Sequence, residues 1–129
     1  MNKENERQKD LEKSNLVFVY GTLKKGFGNN GLLRDAEFIG ESLVDNMTLY
    51  DMGFPVAVDR DGEKIKGEVF RITDELQSLD YLEGYPDFYD RKLVDTKHGQ
   101  AWIYFQPVEN VYKLKLKCIG KEWIGYEHN

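Results

Sequence analysis

Leu16-Val17-Phe18-Val19-Tyr20-Gly21-Thr22-Leu23-Lys24-Lys25-Gly26 is the stretch around which the rest of the chain can be arranged. Its first five residues are apolar or aromatic with no polar alternation, the pattern of a central strand buried on both faces. The run stops at Gly21, and glycines return at positions 26 and 28, so the strand empties into a loop, Thr22 to Asn30. Two readings of that loop fit its composition. The glycines serve turn geometry alone, or they let the backbone approach a ligand. In the second case, amides freed at the strand end converge on a carboxylate or a developing oxyanion, and Thr22 adds a hydroxyl. A nucleotide loop is excluded: Gly21 and Gly26 have the right separation, but Phe27 stands where the phosphate-binding lysine belongs.

Further along, Asn30 to Ala36 suggests a short helix, capped by Asn29 or Asn30. Glu37 to Asp45 and Met47 to Met52 read as strands, Gly53-Phe54-Pro55 as a turn and Val56 to Val58 as a short strand. Asp61-Gly62 is a turn signal before a strand from Lys64 to Ile72. Asp74 followed by Gln77 has capping-box spacing, and the helix it opens should end at Gly84, with Pro86 beyond. Tyr89 to Thr96 and Gln100 to Gln106 form a predicted hairpin. In Val111 to Ile119, Lys113, Lys115 and Lys117 alternate with apolar residues, the pattern of a lysine-guarded edge strand. An interaction surface on these lysines is the functional alternative there. About seven strands and one clear helix, without regular strand–helix alternation, predict an α+β fold. Its sheet is expected to be small, mixed and largely antiparallel, curled toward a barrel.

The helix carries the second informative feature. Leu76, Leu79 and Leu82 define an apolar stripe, and at roughly 100° per residue Glu83 falls at about 340° from Leu76, inside it. If the helix persists to its end, Glu83 points toward the core. It then loses hydration, and its proton affinity rises into the range of a general acid or base. If the last turn frays, Glu83 reaches water. Glu75, near the same stripe, sits in the first turn, where it can reach solvent. Beyond the helix, Tyr89 and Arg91 share a strand face. They are either ordinary packing and a surface ion pair, or a phenol and guanidinium that orient the carboxylate or bind a substrate carboxylate.

Bulk properties narrow the classes. The chain has 129 residues, 40% hydrophobic and with 17 aromatics (8 Tyr, 7 Phe, 2 Trp), enough for one core in one domain. Residues 1–14 are so polar that they read as a solvated or frayed tail, leaving 15–129 as the single domain. A net charge of −5 argues against nucleic-acid binding. No run approaches a membrane span, and the charged N-terminal region has no secretory apolar segment. With one cysteine, Cys118, no intramolecular disulfide can form, so the expected localisation is cytoplasmic. Cys118 reads as a small buried hydrophobe. His98 and His128 read as solvated, so no metal site is expected.

Together these elements resemble the gamma-glutamylcyclotransferase-like superfamily, in particular its gamma-glutamylamine cyclotransferase branch. Val17 to Gly26 is similar to the opening motif. Ile65-Lys66-Gly67-Glu68-Val69-Phe70 is similar to the strand before the second motif, and Leu79 to Glu83 with Tyr89-Asp90-Arg91 to that motif. The resemblance covers roughly residues 16 to 106. It implies a small mixed barrel with flanking helices and a small-molecule gamma-glutamyl substrate. Tyr20, Gly21, Thr22 and Leu23 would hold the gamma-glutamyl part, with Tyr89 beside them. Glu83 would be the catalytic glutamate, transferring protons as the substrate's own α-amine attacks its γ-carbonyl to give 5-oxoproline. Neither metal nor cofactor is implied. The alternative is a binding module for a gamma-glutamyl or carboxylate ligand without turnover, which an ion pair between Glu83 and Arg91 would favour.

Overall fold

A computed structural model describes residues 3–125. Strand β1 (Leu16–Val19) lies inside a six-stranded sheet of order β4-β5-β1-β3-β2-β6. The others are β2 (Glu37–Asp51), β3 (Pro55–Arg71), β4 (Asp90–Thr96), β5 (Gly99–Phe105) and β6 (Lys117–Gly120). Only β1 and β5 run parallel; every other pairing is antiparallel. Helices α1 (Lys3–Lys13), α2 (Leu76–Glu83) and α3 (Val108–Leu114) flank the sheet. The expected α+β class and the mixed, mainly antiparallel sheet are both present, the sheet curling into a half-barrel.

Burial explains why β1 is apolar throughout. Val17 and Val19 face a core that includes Phe70, Leu76, Leu79, Trp102 and Tyr104. Leu16, Phe18 and Tyr20 face a second core with Val44, Leu49, Ile65, Ile103 and Trp123. Each full burial of a large apolar side chain contributes about 1.5–3 kcal/mol, so a strand with no solvent face strongly favours the interior of the sheet. Curling brings the β4–β5 turn onto β2: the Lys97 amide donates to Ser42 Oγ (2.9 Å), and His98 Nε2 lies 3.0 Å from the Glu41 carbonyl. His98 is therefore a packing residue rather than a solvated one. His128 falls outside the described residues.

Several expectations change. The two segments read from Glu37 to Met52 are one strand, as are those read from Val56 to Ile72. The pair forms a long ribbon whose register shifts between Asp45 and Met47. Asp61-Gly62 is thus a bulge inside β3 rather than the end of a strand. The Gly62 amide is held by Asn46 Oδ1 at 3.1 Å, with both residues at positive φ. The Asp74–Gln77 capping box does not form. Glu75 is the N-terminal cap and is buried, its Oε1 accepting from the amides of Thr73 (2.8 Å) and Asp74 (3.1 Å). The lysine alternation after Val111 is not an edge strand. Lys113 lies in the last turn of α3, Lys115 is its left-handed cap, and only Lys117 belongs to the edge strand β6. Cys118 is exposed on β6, not buried. Nor are residues 3–13 simply solvated: none of α1 is buried, but Leu11 packs on the first core and its charges dock the helix, as described below.

Where β1 crosses β3 the backbones approach closely. A Cβ on Gly67 would lie 2.6 Å from Phe18 Cζ and would collide with the Val19 carbonyl oxygen. Gly67→Ala is expected to destabilise the fold by ~1–3 kcal/mol, the usual range for overpacking. The urea unfolding midpoint should fall accordingly.

Candidate active site

Helix α2 ends where the sequence placed its end: Gly84 takes the left-handed conformation (φ 65°) and closes the last turn. Glu83 is therefore helical and half-buried, and its direction is fixed. Leu76 and Leu79 bury against the sheet, while Leu82, expected on the same stripe, stands at 39% exposure on a rim. The third inward position is instead Asp80, four residues after Leu76 and 2% exposed. At about 40° from Leu76 it lies on the stripe by the same helical arithmetic that singled out Glu83.

Asp80 anchors a buried network. Its Oδ1 accepts from Arg91 Nε (2.9 Å) and Tyr104 Oη (2.6 Å). Its Oδ2 accepts from Arg91 Nη2 and Arg7 Nε, both at 3.1 Å. Arg91 Nη1 continues to Asp10 Oδ2 (2.8 Å), and the guanidinium lies over the rings of Tyr85 (4.2 Å) and Trp102 (4.9 Å). Arg91 is thus neither a surface pair nor a partner of Glu83, and each of its three side-chain nitrogens donates to a carboxylate of the fold. One carboxylate ties α2 to β4, β5 and α1.

Glu83 lines a cavity of about 250 Å³ together with Tyr20, Gly21, Thr22, Leu23, Asn29, Tyr89 and Tyr104. Six of the residues that the sequence put forward, Tyr20, Gly21, Thr22, Leu23, Glu83 and Tyr89, line this one cavity, and Arg91 does not. Apolar residues complete the wall, among them Phe54, Pro55, Leu82 and Phe88. Among the described residues no hydrogen bond or ion pair holds the Glu83 carboxylate. Desolvation alone raises its pKa from 4.5 to about 7. Burial first, and then the Glu83 charge, push the Tyr89 phenol up as well. Both phenols are tied to backbone. Tyr89 Oη donates to the Pro55 carbonyl (3.1 Å), and Tyr20 Oη donates to that of Tyr104 (2.7 Å) while accepting from the Ala57 amide (3.2 Å).

The glycine loop is stapled through its carbonyls. Those of Gly21, Thr22 and Leu23 accept from Lys24 N (3.0 Å), Asn29 N (2.9 Å) and Asn30 Nδ2 (2.8 Å). Asn29 Nδ2 donates to Thr22 Oγ1 (2.8 Å), which leaves the threonine its own proton to give. Gly21 has no room for a side chain, since a Cβ would come within 2.8 Å of Pro55 Cγ. Sequence reasoning had not placed Asn29 in the site; its only signal was an asparagine at the end of a glycine loop. Among the described residues, no group of three His, Cys, Asp or Glu side chains is placed to hold a metal ion.

With this geometry in view, the comparisons with known proteins become informative. Residues 17–124 match the family model for gamma-glutamyl cyclotransferase, AIG2-like proteins. The chain is 37% identical over 99 residues to the gamma-glutamylcyclotransferase family protein YtfP of Escherichia coli K12, spanning 74% of this chain and 87% of the relative. The solution structure of the E. coli YtfP protein aligns with a TM-score of 0.64 at 35% identity, covering 84% of this chain and 96% of that one. A mouse AIG2-like protein crystal structure shares the fold at a TM-score of 0.69 and 22% identity, covering 88% and 97% of the two chains. The chain belongs to the gamma-glutamyl cyclotransferase, AIG2-like family. The match runs past the expected limit near residue 106, and the segment after β5 packs back on the loop. Lys24 Nζ donates to the Trp123 carbonyl (2.6 Å), and the Trp123 ring lies 4.9 Å from that of Phe27.

The raised pKa of Glu83 has a consequence for stability. Below pH 4.5 the carboxyl is neutral in both folded and unfolded chains and carries no penalty. Between 4.5 and about 7 the unfolded chain releases the proton more readily, so ionisation costs folding stability, and above about 7 that cost is constant. Glu83→Gln should therefore be more stable than wild type at pH 8 and nearly equal to it at pH 4. Denaturant unfolding at the two pH values reads the difference directly.

Proposed function

We propose that this chain cyclises the γ-glutamyl group of an amide or peptide, releasing 5-oxoproline and an amine, with Glu83 as general base and then general acid. The observation that carries the proposal is a half-buried carboxylate with no ion-pair partner, lining a mostly apolar cavity beside a loop whose carbonyls are tied back. The occupation of Arg91 by Asp80 favours this over a site that binds without turnover.

In the first step the substrate's neutral α-amine attacks its γ-carbonyl carbon. A C–N bond forms, and Glu83 takes a proton from the attacking nitrogen. In the second, the amide C–N bond breaks, and the proton passes from Glu83 to the departing amine. The lactam and the free amine balance the reaction. Because the nucleophile is tethered to its target, positioning supplies much of the rate. The amides of Gly21, Thr22 and Leu23, with the Thr22 hydroxyl, are suited to the α-carboxylate or the oxyanion. Tyr20 and Tyr89, their hydroxyls held by backbone carbonyls, shape the wall against which the glutamyl chain folds. No metal or cofactor takes part in these steps. The single, exposed thiol of Cys118 suits a reducing compartment, and we place the reaction in the cytoplasm.

Incubation with γ-glutamyl amides should yield 5-oxoproline by mass spectrometry, and Glu83→Gln should lower kcat by about 10²–10⁴-fold. The acidic limb of wild-type kcat/KM should fall with an apparent pKa near 7, the value that desolvation sets for Glu83. Ligand-induced thermal stabilisation of both proteins, with no product from either, would replace the enzyme with a binding module.

A further inference from the structure

We infer that the group carried by the departing amine is neutral and apolar, best aromatic, and that the site discriminates against conjugates bearing a second carboxylate there. This rests on the cyclotransferase reading above. Phe54, Leu82 and Phe88 line the same cavity as Glu83. Leu82 is 39% exposed and Phe88 44%, although both are large and apolar. Neither is needed to fill a core, and exposed apolar groups gathered at the rim of a cavity are characteristic of ligand contact. The aromatic wall is also ordered. The Phe54 and Phe88 centroids lie 6.0 Å apart, and Phe88 meets Tyr89 edge-on at 5.0 Å. A flat ring entering the rim would find ring faces and edges at the usual stacking spacings.

Charge points the same way. Glu83 is the only charged side chain among the residues lining the cavity. The α-carboxylate of the glutamyl group would take the loop donors, and a second carboxylate would face the ionised Glu83 with no cation among the cavity-lining residues to offset it. Three cations of the surrounding elements are engaged elsewhere. Lys24 is bound to the Trp123 carbonyl, Arg91 to Asp80 and Asp10, and Arg7 to Asp80 and Glu4.

The test compares kcat/KM for γ-glutamylbenzylamide, γ-glutamylethylamide and γ-glutamylalanine, read as 5-oxoproline release. The benzylamide should exceed the ethylamide by at least about tenfold, and γ-glutamylalanine should fall below the ethylamide by a similar factor. Phe88→Ala should cut the benzylamide-to-ethylamide ratio about tenfold. General damage would lower both substrates and leave that ratio unmoved. Equal turnover of all three, or an unchanged ratio in Phe88→Ala, overturns the inference and leaves the cyclotransferase intact. Preference for γ-glutamylalanine also overturns it, pointing to the groove across Leu82 that Lys3 and Arg7 line. If no conjugate yields 5-oxoproline, the cyclotransferase reading itself falls. Calorimetric binding of the benzylamide and γ-glutamylalanine then decides the preference: tighter benzylamide binding sustains it, and the reverse order or no difference overturns it.

Discussion

The site depends on the buried ion pair between Asp80 and Arg91. Asp80 is one turn into the helix whose last residue is Glu83, and Arg91 is the second residue of the strand that follows. Their pairing, with Tyr104 on the same carboxylate, clamps α2 to the sheet and sets where Glu83 points. Breaking a buried pair by removing one partner typically costs ~3–5 kcal/mol, because an uncompensated charge is left behind. The pair has a second effect that matters as much as the first. By consuming the guanidinium, it keeps Arg91 from pairing with Glu83, whose carboxyl is raised by desolvation. Two acidic residues three positions apart thus have opposite environments, one fully paired and one left unpaired at a cavity wall.

The remaining architecture serves the same end. β1 must be interior for its loop to emerge beside α2, and that requires apolar side chains on both faces and a glycine at position 67 where β3 passes. The loop must hold its shape without a ligand, and its carbonyl staples to Lys24, Asn29 and Asn30 do so while leaving the Thr22 hydroxyl able to donate. The segment carrying Trp123 leans on the far side of that loop.

What could be read in the sequence were the features written in local periodicity. The unbroken apolar run at Leu16–Tyr20, the glycine that ends α2, the β4–β5 hairpin and the inward angle of Glu83 each follow from a few neighbouring residues. Asp80 was open to the same arithmetic, but its partners lie in α1, β4 and β5, and only the fold brings them together. Asp61-Gly62 has the chemistry of a turn and of a bulge alike, so the continuous ribbon of β2 and β3 could not be told from separate strands. The alternating lysines near the end fit an edge strand until α3 uses Val111 as its buried contact. Docking of α1 rests on Arg7 and Asp10, and its low apolar content concealed it.

The central claim is that Glu83 is held unpaired and partly desolvated at the cavity, and the direct measurement is its own titration. Carboxyl carbon shifts in protein labelled at glutamate, with Glu83→Gln assigning the resonance, give the midpoint. The account predicts about 7. A midpoint at the ordinary 4.5 or below would mean a solvated or ion-paired carboxylate, and would contradict it.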